Sequence, residues 1–263
     1  MKKIFIAAIA ALAIASCEKE IKVDLNSADP QIIIEGNITN EAGPYQVQIS
    51  KSVNFSEANS YPAVSGASVV ITDRTSNITD TLLENPAGIY KTLSIQGISG
   101  HSYDLLVSSE GQTYTASTTM PFPVPLDSIT FIHRSGGFSG SNSIRVIPNF
   151  QDPLGVANNY TFNASVNSRK LKSTFVFGDR LSDGRYITQQ LFMDSAYIRV
   201  GDIVSVNMNC VDKNVWDYFN TLALQTEGGI EAPAPANPIS NVSNNALGYF
   251  SAHTVQTKTA VAY

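Results

Sequence analysis

The stretch QIIIEGNITNEAGPYQVQISKSV, residues 31–53, indicates the type of secondary structure that dominates this chain. It contains two short runs rich in β-branched and aromatic residues, and the tripeptide Ala-Gly-Pro at 42–44 separates them. Within YQVQIS, residues 45–50, apolar and polar residues alternate strictly, which is the period of a strand with one buried face. We therefore predict two β-strands joined by a turn.

Five further runs of this kind follow before residue 121, namely ASVVITD, NITDTLL, GIYKTLS, HSYDLLVSS and QTYTASTTM. Turn residues separate the runs, including Asn-Pro-Ala-Gly at 85–88 and Ser-Gly at 99–100. Short strands with regularly spaced turns predict a β-sandwich. The order of features from VSGASVVITD onward resembles transthyretin-like or carboxypeptidase-regulatory sandwiches, and an immunoglobulin-like sandwich is the alternative. Modules of that kind are usually structural or adhesive.

The stretch MPFPVPLDS, residues 120–128, predicts a boundary between two domains. Its three prolines stiffen the backbone and remove amide donors, as in interdomain linkers. A second β-rich set follows, with Asp183-Gly184 as a hairpin signal, one helix capped by Asp212, and the closing strand ALGYFSAHTVQ. We predict an all-β fold of two sandwich-like domains, an N-terminal sandwich at 28–121 and a larger β-rich domain with one helix at 122–263.

The N-terminal stretch MKKIFIAAIAALAIASCEKE has the layout of a lipoprotein signal peptide. Two lysines precede about a dozen apolar residues, a run shorter than the roughly 20 residues that cross a bilayer as a helix. Cys17 follows the small pair Ala-Ser, which fits a lipobox, where the thiol is acylated and becomes the new N-terminus. We predict a signal peptide at 1–16, lipidation of Cys17 and a tether at 17–27. A plain signal peptide with a chance cysteine is the alternative.

The second cysteine and the charge balance restrict the classes of protein. With Cys17 lipidated, Cys210 stands alone in the strand-like run IVSVNMNCV, so we predict a buried thiol and no disulfide. The formal net charge is −5 with only 17 Lys and Arg, and loss of the signal peptide shifts it to about −7. This balance lacks the basic footprint of nucleic-acid binding. We expect no nucleic-acid partner and attachment to a membrane by lipid alone.

No catalytic or metal-binding motif stands out. The three histidines lie far apart, and the chain contains no HExxH, CxxC, GxSxG or P-loop sequence. In DRTSNITD, Asp73, Asn77 and Asp80 are spaced oxygen ligands, but the spacing and glycine of an EF-hand are missing. A hairpin turn rich in Asp and Asn explains the same residues. We predict that the protein is not an enzyme and has no catalytic residues, cofactor or metal.

Three tripeptides match the short Asp-Ser/Thr-apolar pattern that some bacteria use for O-glycosylation. The acceptor hydroxyls would be those of Thr81, Ser128 and Ser195. Three residues of such loose composition also recur by chance. The three positions are therefore candidate modification sites that rest on pattern alone.

Several of these pieces occur together in one known family. They are IASCEKEI, IIIEGNIT, the stretch 43–73, MPFPVPLDSI, GDIVSVNMNCVDKNVWDYFNTL and the stretch 234–253. The combination resembles the outer-membrane lipoproteins of Bacteroidota described as domain of unknown function 4249, over essentially the whole chain. Members are often found beside TonB-dependent transporters. The resemblance implies a lipid anchor in the outer membrane and a transporter barrel as partner, but no activity.

Two functions follow from this reading as expectations. The first is a non-catalytic binding or accessory subunit of a TonB-dependent nutrient-uptake complex. The alternative is a structural or adhesive surface protein without a transported ligand. Glu18, Lys19 and Glu20 resemble the acidic signals that send such lipoproteins to the cell surface, although the lysine interrupts the run. We accordingly expect the protein to face the cell surface.

The segment EGGIEAPAPANPISNVSNNALGYF, residues 227–250, is too long for a mere connector. Its prolines favour an extended, semi-rigid backbone that suits contact with another surface. The predicted partner-contacting residues lie in this segment and at the helix: Trp216, Asn237, Pro238, Ser240, Asn241, Asn244 and Asn245. The alternative is a loop that folds back and covers a sheet edge of its own domain.

Overall fold

The computed structural model describes residues 29–54, 60–134, 143–191, 198–226 and 237–263. In these parts of the chain the fold is all-β with one α-helix, as predicted. The strands are β1 (Ile32–Thr39), β2 (Gln46–Lys51), β3 (Ser68–Asp73), β4 (Ile78–Thr81), β5 (Leu83–Glu84), β6 (Ile89–Lys91), β7 (Ser102–Ser109), β8 (Gln112–Thr119), β9 (Ser128–Arg134), β10 (Ser143–Gln151), β11 (Asn159–Val166), β12 (Arg169–Lys170), β13 (Phe175–Gly178), β14 (Tyr186–Thr188), β15 (Ile203–Cys210) and β16 (Leu247–Val261). The helix α1 spans Lys213–Thr226, and a 3-10 turn spans Asp179–Leu181.

The described strands form three sheets. The largest has nine strands in the order β12-β11-β15-β16-β1-β2-β6-β5, with β13 paired to β11. A four-stranded sheet has the order β4-β3-β7-β8, and a three-stranded sheet has the order β14-β10-β9. Most neighbours are antiparallel, but β1 and β16 run parallel, with Ile34 opposite Gly248.

One face of the nine-stranded sheet carries the apolar residues of two hydrophobic cores. In the first core, Ile34 and Phe250 cluster with Leu105 of the four-stranded sheet. In the second core, Phe162 clusters with Phe150 of the three-stranded sheet. The architecture is therefore a large sheet that packs two smaller sheets on one face, a sandwich arrangement in each half.

Local sequence explains the elements well. The apolar residues at 45, 47 and 49 are buried and the glutamines between them are exposed, as the alternation predicted. Ser50 departs from the pattern and is buried, because an isolated bridge to Ala63 covers this position. The helix begins where predicted, since the backbone N–H of Val215 donates to Asp212 Oδ1 at 2.9 Å. Cys210 is a buried free thiol, also as predicted.

Strand β16 differs from the prediction in length and in pairing. It continues to Val261, and its first half pairs with β1 while its second half pairs with β15.

The domain boundary at 121/122 stays a prediction. Met120 belongs to the first core and Val124 to the second, yet Val242 and Phe250 also pack in the first core. The last strand thus contributes to both halves of the molecule.

The predicted hairpin at Asp183-Gly184 is wrong. A turn does form there, and Gly184 has φ +70°. The strands on either side nevertheless pair elsewhere, β13 with β11 and β14 with β10. The turn therefore passes the chain between two sheets, and Asp183 Oδ1 accepts from Gly155 N at 2.8 Å, which ties the turn to a different loop.

No helix among the described residues combines the length and the apolar character that crossing a membrane requires.

Candidate functional site

The face of the nine-stranded sheet opposite the cores is polar. On β16, residues at odd positions share this face, including Tyr249, Ser251 and His253, because side chains alternate along a strand. The pairing of β1 with β16 places Asn37 opposite Ser251. On β15, next to β16, Asn209 lies opposite Thr161 of the neighbouring strand β11. Amide and hydroxyl groups thus line the middle of the sheet where an apolar surface would be expected beneath a helix.

Helix α1 covers part of this polar face through aromatic side chains. Phe219 lies with its ring centroid 4.9 Å from that of Tyr249, and Tyr218 lies at the same distance from Tyr249. A cavity of about 150 Å³ remains between the helix and the sheet. Its lining includes Phe219, Tyr249, His253 and Asn209.

A hydrogen-bond chain orders the floor of this cavity. Asn209 Nδ2 donates to Thr161 Oγ1 and to Asn163 Oδ1, both at 3.1 Å. Asn163 Nδ2 donates in turn to Thr174 Oγ1 at 2.9 Å. The amide hydrogens of Asn209 are used inside the protein, so its Oδ1 is the atom left to accept a hydrogen bond in the cavity.

Burial shifts the pKa of two titratable groups near the cavity towards their neutral forms. Burial lowers the pKa of His253 to about 4, so its imidazole is neutral at pH 7. His253 Nδ1 forms a 2.9 Å hydrogen bond with Ser251 Oγ. Burial also raises the pKa of the Glu35 carboxyl, which lies opposite Tyr249 in the parallel register. The cavity therefore presents neutral polar groups.

Most of the predicted partner-contacting residues line a second, more open groove. Its volume is about 500 Å³, and its lining includes Asn237, Pro238, Ser240, Asn244 and Asn245. Gln31, close to the predicted tether, lines the same groove. The sequence-predicted set is thereby brought together, except for two of its members.

Asn241 and Trp216 are the two exceptions. Asn241 does not line the groove, because its side chain pairs with the backbone of Phe250: Phe250 N donates to Asn241 Oδ1 at 2.9 Å, and Asn241 Nδ2 donates to Phe250 O at 2.7 Å. Trp216 lies on α1, with its ring against Gly178. Among the described residues, its indole nitrogen is buried and has no hydrogen-bond partner.

The segment that carries Asn241 closes two sheet edges of the protein itself. The half of β16 that contains Phe250 pairs with β1 on one side only, and Asn241 occupies its other side. Ser243 N donates to Thr115 O at 2.8 Å, and Thr115 N donates to Ser243 Oγ at 2.8 Å, which covers edge strand β8. Edge cover, the alternative considered for this segment, thus accounts for Asn241 and Ser243, while the groove residues keep the partner-contact prediction open.

Replacement of Asn241 by alanine should lower the free energy of unfolding by roughly 2 kcal/mol, because two backbone groups of Phe250 lose their partner. Chemical denaturation followed by circular dichroism measures the change. The matched control is Asn237→Ala in the same segment, whose exposed side chain should contribute less than about 0.5 kcal/mol. Equal stability of the two variants would contradict the edge-cover role of Asn241.

The segment that contains Asp73, Asn77 and Asp80 forms a hairpin, as predicted: Asp73 ends β3, Asn77 lies in the turn and Asp80 lies in β4. Asn77 takes a left-handed conformation with φ +56°, and Asp73 Oδ1 accepts from the backbone N–H groups of Thr75 and Ser76. His101 Nδ1 hydrogen-bonds to Asp73 Oδ2 at 2.7 Å. Ser76 Oγ donates to the same carboxylate. In a Ser-His-Asp catalytic triad the serine hydroxyl hydrogen-bonds to the histidine, whereas here it hydrogen-bonds to the aspartate.

One cluster of three carboxylates was missed by the sequence analysis. The carboxylate oxygens of Asp152, Asp179 and Asp183 lie within 4.8 Å of one another. Oxygen ligands of this kind suit a hard cation. Each carboxylate, however, already accepts a hydrogen bond from the protein, from Gly184 N, Asn158 N and Gly155 N in turn. These bonds explain the cluster as the tie between two loops.

The candidate O-glycosylation residues are separated from these sites. Thr81 is exposed at the end of β4. Ser128 is half-buried in β9, where its Oγ accepts from Asn149 Nδ2 at 3.3 Å. Ser195 lies outside the described residues, as do the signal peptide, Cys17 and the tether. Modification at any of these positions stays a prediction.

The polar sheet face was also missed by sequence reasoning, although a signal exists. Read at a period of two, GYFSAH, VSVNMN and TFNAS each place hydroxyl, amide or imidazole groups on the face opposite the apolar residues. A half-buried strand whose polar face carries Asn and Ser is ordinary when exposed. What makes these residues a site is the helix above them, which no local pattern predicts.

The fold and its cavities define a β-sandwich protein with a helix-covered polar sheet face. The family model described as "Domain of unknown function (DUF4249)" matches residues 18–259, and the chain belongs to this family. This confirms the family named from the sequence motifs. No curated protein matches the sequence.

Proposed function

We propose that the protein is a lipid-anchored lipoprotein of the bacterial outer membrane, which acts as a non-catalytic binding or accessory subunit of a TonB-dependent uptake complex. The observation that carries the proposal is the groove of about 500 Å³, which gathers five of the predicted partner-contacting residues beside Gln31. The N-terminal lipobox pattern supports the lipid anchor, and the motifs of the family support the location in the outer membrane.

The position of the groove suits contact at a membrane surface. Gln31 is the fourteenth residue after Cys17, and a fully extended chain of that length spans at most about 50 Å. A protein anchored at Cys17 would therefore hold the groove within reach of an outer-membrane barrel. Exposed amide groups such as those of Asn237, Asn244 and Asn245 suit a polar, hydrated interface.

The placement of the histidines supports a non-catalytic role. His101 is used in the Asp73 turn, and His133 Nε2 hydrogen-bonds to the backbone carbonyl of Tyr263. His253 lies in the neutral cavity beneath α1. The three histidines thus belong to three different sheets: His101 directly precedes a strand of the four-stranded sheet, His133 lies in the three-stranded sheet and His253 lies in the nine-stranded sheet.

Replacement of Cys17 by alanine should release the protein from membranes. Two or three acyl chains bury many CH₂ groups at about 0.8 kcal/mol each, and the alanine variant would carry none. Membrane fractionation with immunodetection measures the distribution, and Cys210→Ala is the control, because that buried thiol should not affect retention. Retention of the Cys17 variant in the membrane fraction would contradict lipid anchoring.

The partner is tested by purification from native membranes in mild detergent. Recovery of a transporter barrel in near-equal amount supports the accessory role, and reproducible recovery of no partner supports the structural or adhesive alternative. Asn237→Glu places a charge in the groove and should reduce recovery of the barrel. Asn214→Glu, on the exposed side of α1, is the matched control. Equal loss of the barrel in both variants would argue against the groove as the contact.

A further inference from the structure

Two adjoining cavities lie along the polar face of the nine-stranded sheet. The cavity of about 150 Å³ beneath α1 and a second cavity of about 300 Å³ share Asn163 in their linings. The larger cavity continues over β11 and β15, where Ser165, Ser205 and Asn207 line it. Together they form a groove whose size reaches the range of small-ligand sites, about 300–1,000 Å³.

The groove offers hydrogen-bonding atoms that the protein does not use. Among the described residues, His253 Nε2 and the Oδ1 atoms of Asn37 and Asn209 have no hydrogen-bond partner, while the opposite end of each side chain is held in place. Asn37 Nδ2, for example, donates to the hydroxyl of Tyr249 at 3.2 Å. Oriented polar groups with one free atom each are what fixes a ligand in a specific pose.

The charge of the groove limits the class of ligand. Every residue that lines the smaller cavity is uncharged at neutral pH, because His253 is neutral there. Lys170 is the charged residue that lines the larger cavity. A strongly charged ligand would lose its hydration without gaining an opposite charge in the smaller cavity, whereas a ligand rich in hydroxyl groups would find donors and acceptors.

One end of the groove is aromatic. The rings of Phe219 and Tyr249 lie 4.9 Å apart at the edge of the smaller cavity. Aromatic rings bind the C–H face of a ligand, while amides and hydroxyls bind its O–H groups. Sugars combine these two features in one molecule.

We propose that this groove binds a neutral polyhydroxylated ligand, a sugar of one or two units, between the asparagines of β11 and β15 and the aromatic rings of α1 and β16. The inference rests on the binding role proposed above and deepens it by naming the class of ligand. It uses a different surface from the partner groove at 237–247.

The test measures sugar binding to the purified full chain in mild detergent. The probes are glucose, galactose, mannose, N-acetylglucosamine, maltose and cellobiose, and saturation-transfer difference NMR detects weak binding. At least one of these sugars should bind with a dissociation constant in the millimolar range or below. Absence of signal for all six at about 20 mM would overturn the proposal, and so would stronger binding of glucuronate than of glucose.

Two variants locate the site. Asn209→Ala removes one of the free acceptors of the smaller cavity and should weaken binding at least about tenfold. Asn207→Ala tests the larger cavity at an exposed position that folding tolerates. Asn214→Ala on the exposed side of α1 is the control and should leave binding unchanged. Unchanged affinity in both groove variants would place the ligand elsewhere and refute the assignment.

The result is independent of the anchor and the transporter. Binding is measured on isolated protein, so a failure here leaves the Cys17 and co-purification results standing. Conversely, if the protein binds sugar but co-purifies with no transporter, the sugar-binding proposal stands and the role in an uptake complex is refuted.

Discussion

Replacement of Gly248 by alanine should destabilise the protein by more than about 4 kcal/mol, enough to prevent accumulation of folded protein. Gly248 has φ +92°, and a Cβ atom there would lie 2.1 Å from Ile34 O and 2.8 Å from Ile34 C. Both contacts are with the backbone of β1, which cannot move aside without breaking the parallel pairing of β1 and β16. The measurement is soluble yield, followed by chemical denaturation of whatever folds.

Gly201 provides a closely matched control for Gly248. Its φ is +94°, but nothing in the described chain lies within 4 Å of a Cβ added there. Gly201→Ala therefore has the same backbone strain without the collision, and should cost about 1–2 kcal/mol. If both variants lost the same stability, strain alone would explain Gly248, and the close approach of β1 would be irrelevant.

Replacement of Asp80 by alanine should lower the free energy of unfolding by roughly 3 kcal/mol. Asp80 Oδ2 accepts three consecutive backbone N–H groups, those of Leu93, Ser94 and Ile95, at 2.7–2.9 Å. Alanine leaves these donors without a partner at a position where the carboxylate is 3% exposed. Asp104→Ala is the control, because its 37% exposed carboxylate pairs with Arg74 at the surface and should contribute less than about 1 kcal/mol.

The same carboxylate predicts a dependence of stability on pH. Burial alone would raise the pKa of Asp80, but the three backbone hydrogen bonds outweigh it and the pKa is lowered. A lowered pKa in the folded state means that the stabilisation is complete above the unfolded pKa of about 3.9 and is lost as the pH falls below it. Denaturation curves at pH 7 and pH 3 should therefore differ less for Asp80→Asn than for the wild type. An identical pH dependence would contradict this role.

The strands and the helix could be predicted from the sequence because their signals are local. The alternation at 45–50, the turn residues around it and the cap at Asp212 each act within a few residues, and the structure has these elements where they were predicted. The same local signal failed at Asp183-Gly184. A turn motif determines the conformation of its own residues, but the partner of each flanking strand depends on the rest of the sheet.

The candidate site was harder to predict from the sequence than the fold. Five of the six residues predicted at 237–245 do line one groove, since they are neighbours along the chain. The polar face beneath α1 draws instead on β1, β11, β15 and β16, and the first and last of these strands lie more than two hundred residues apart in sequence. Nothing in the sequence near Asn37 indicates that Ser251 will lie beside it.

The sequence by itself determined the all-β class, the helix α1, the family and the hairpin turn that follows Asp73, because periodicity, capping and short-range hydrogen bonding are properties of neighbouring residues. Only the tertiary structure decided that β16 joins both halves of the molecule, that Asn241 closes an open strand edge, and that α1 covers a polar sheet face. The physical reason is that strand pairing and layer packing depend on contacts between distant residues. Many registers satisfy the same local alternation, and only the one in which both cores and both sheet edges are covered is stable.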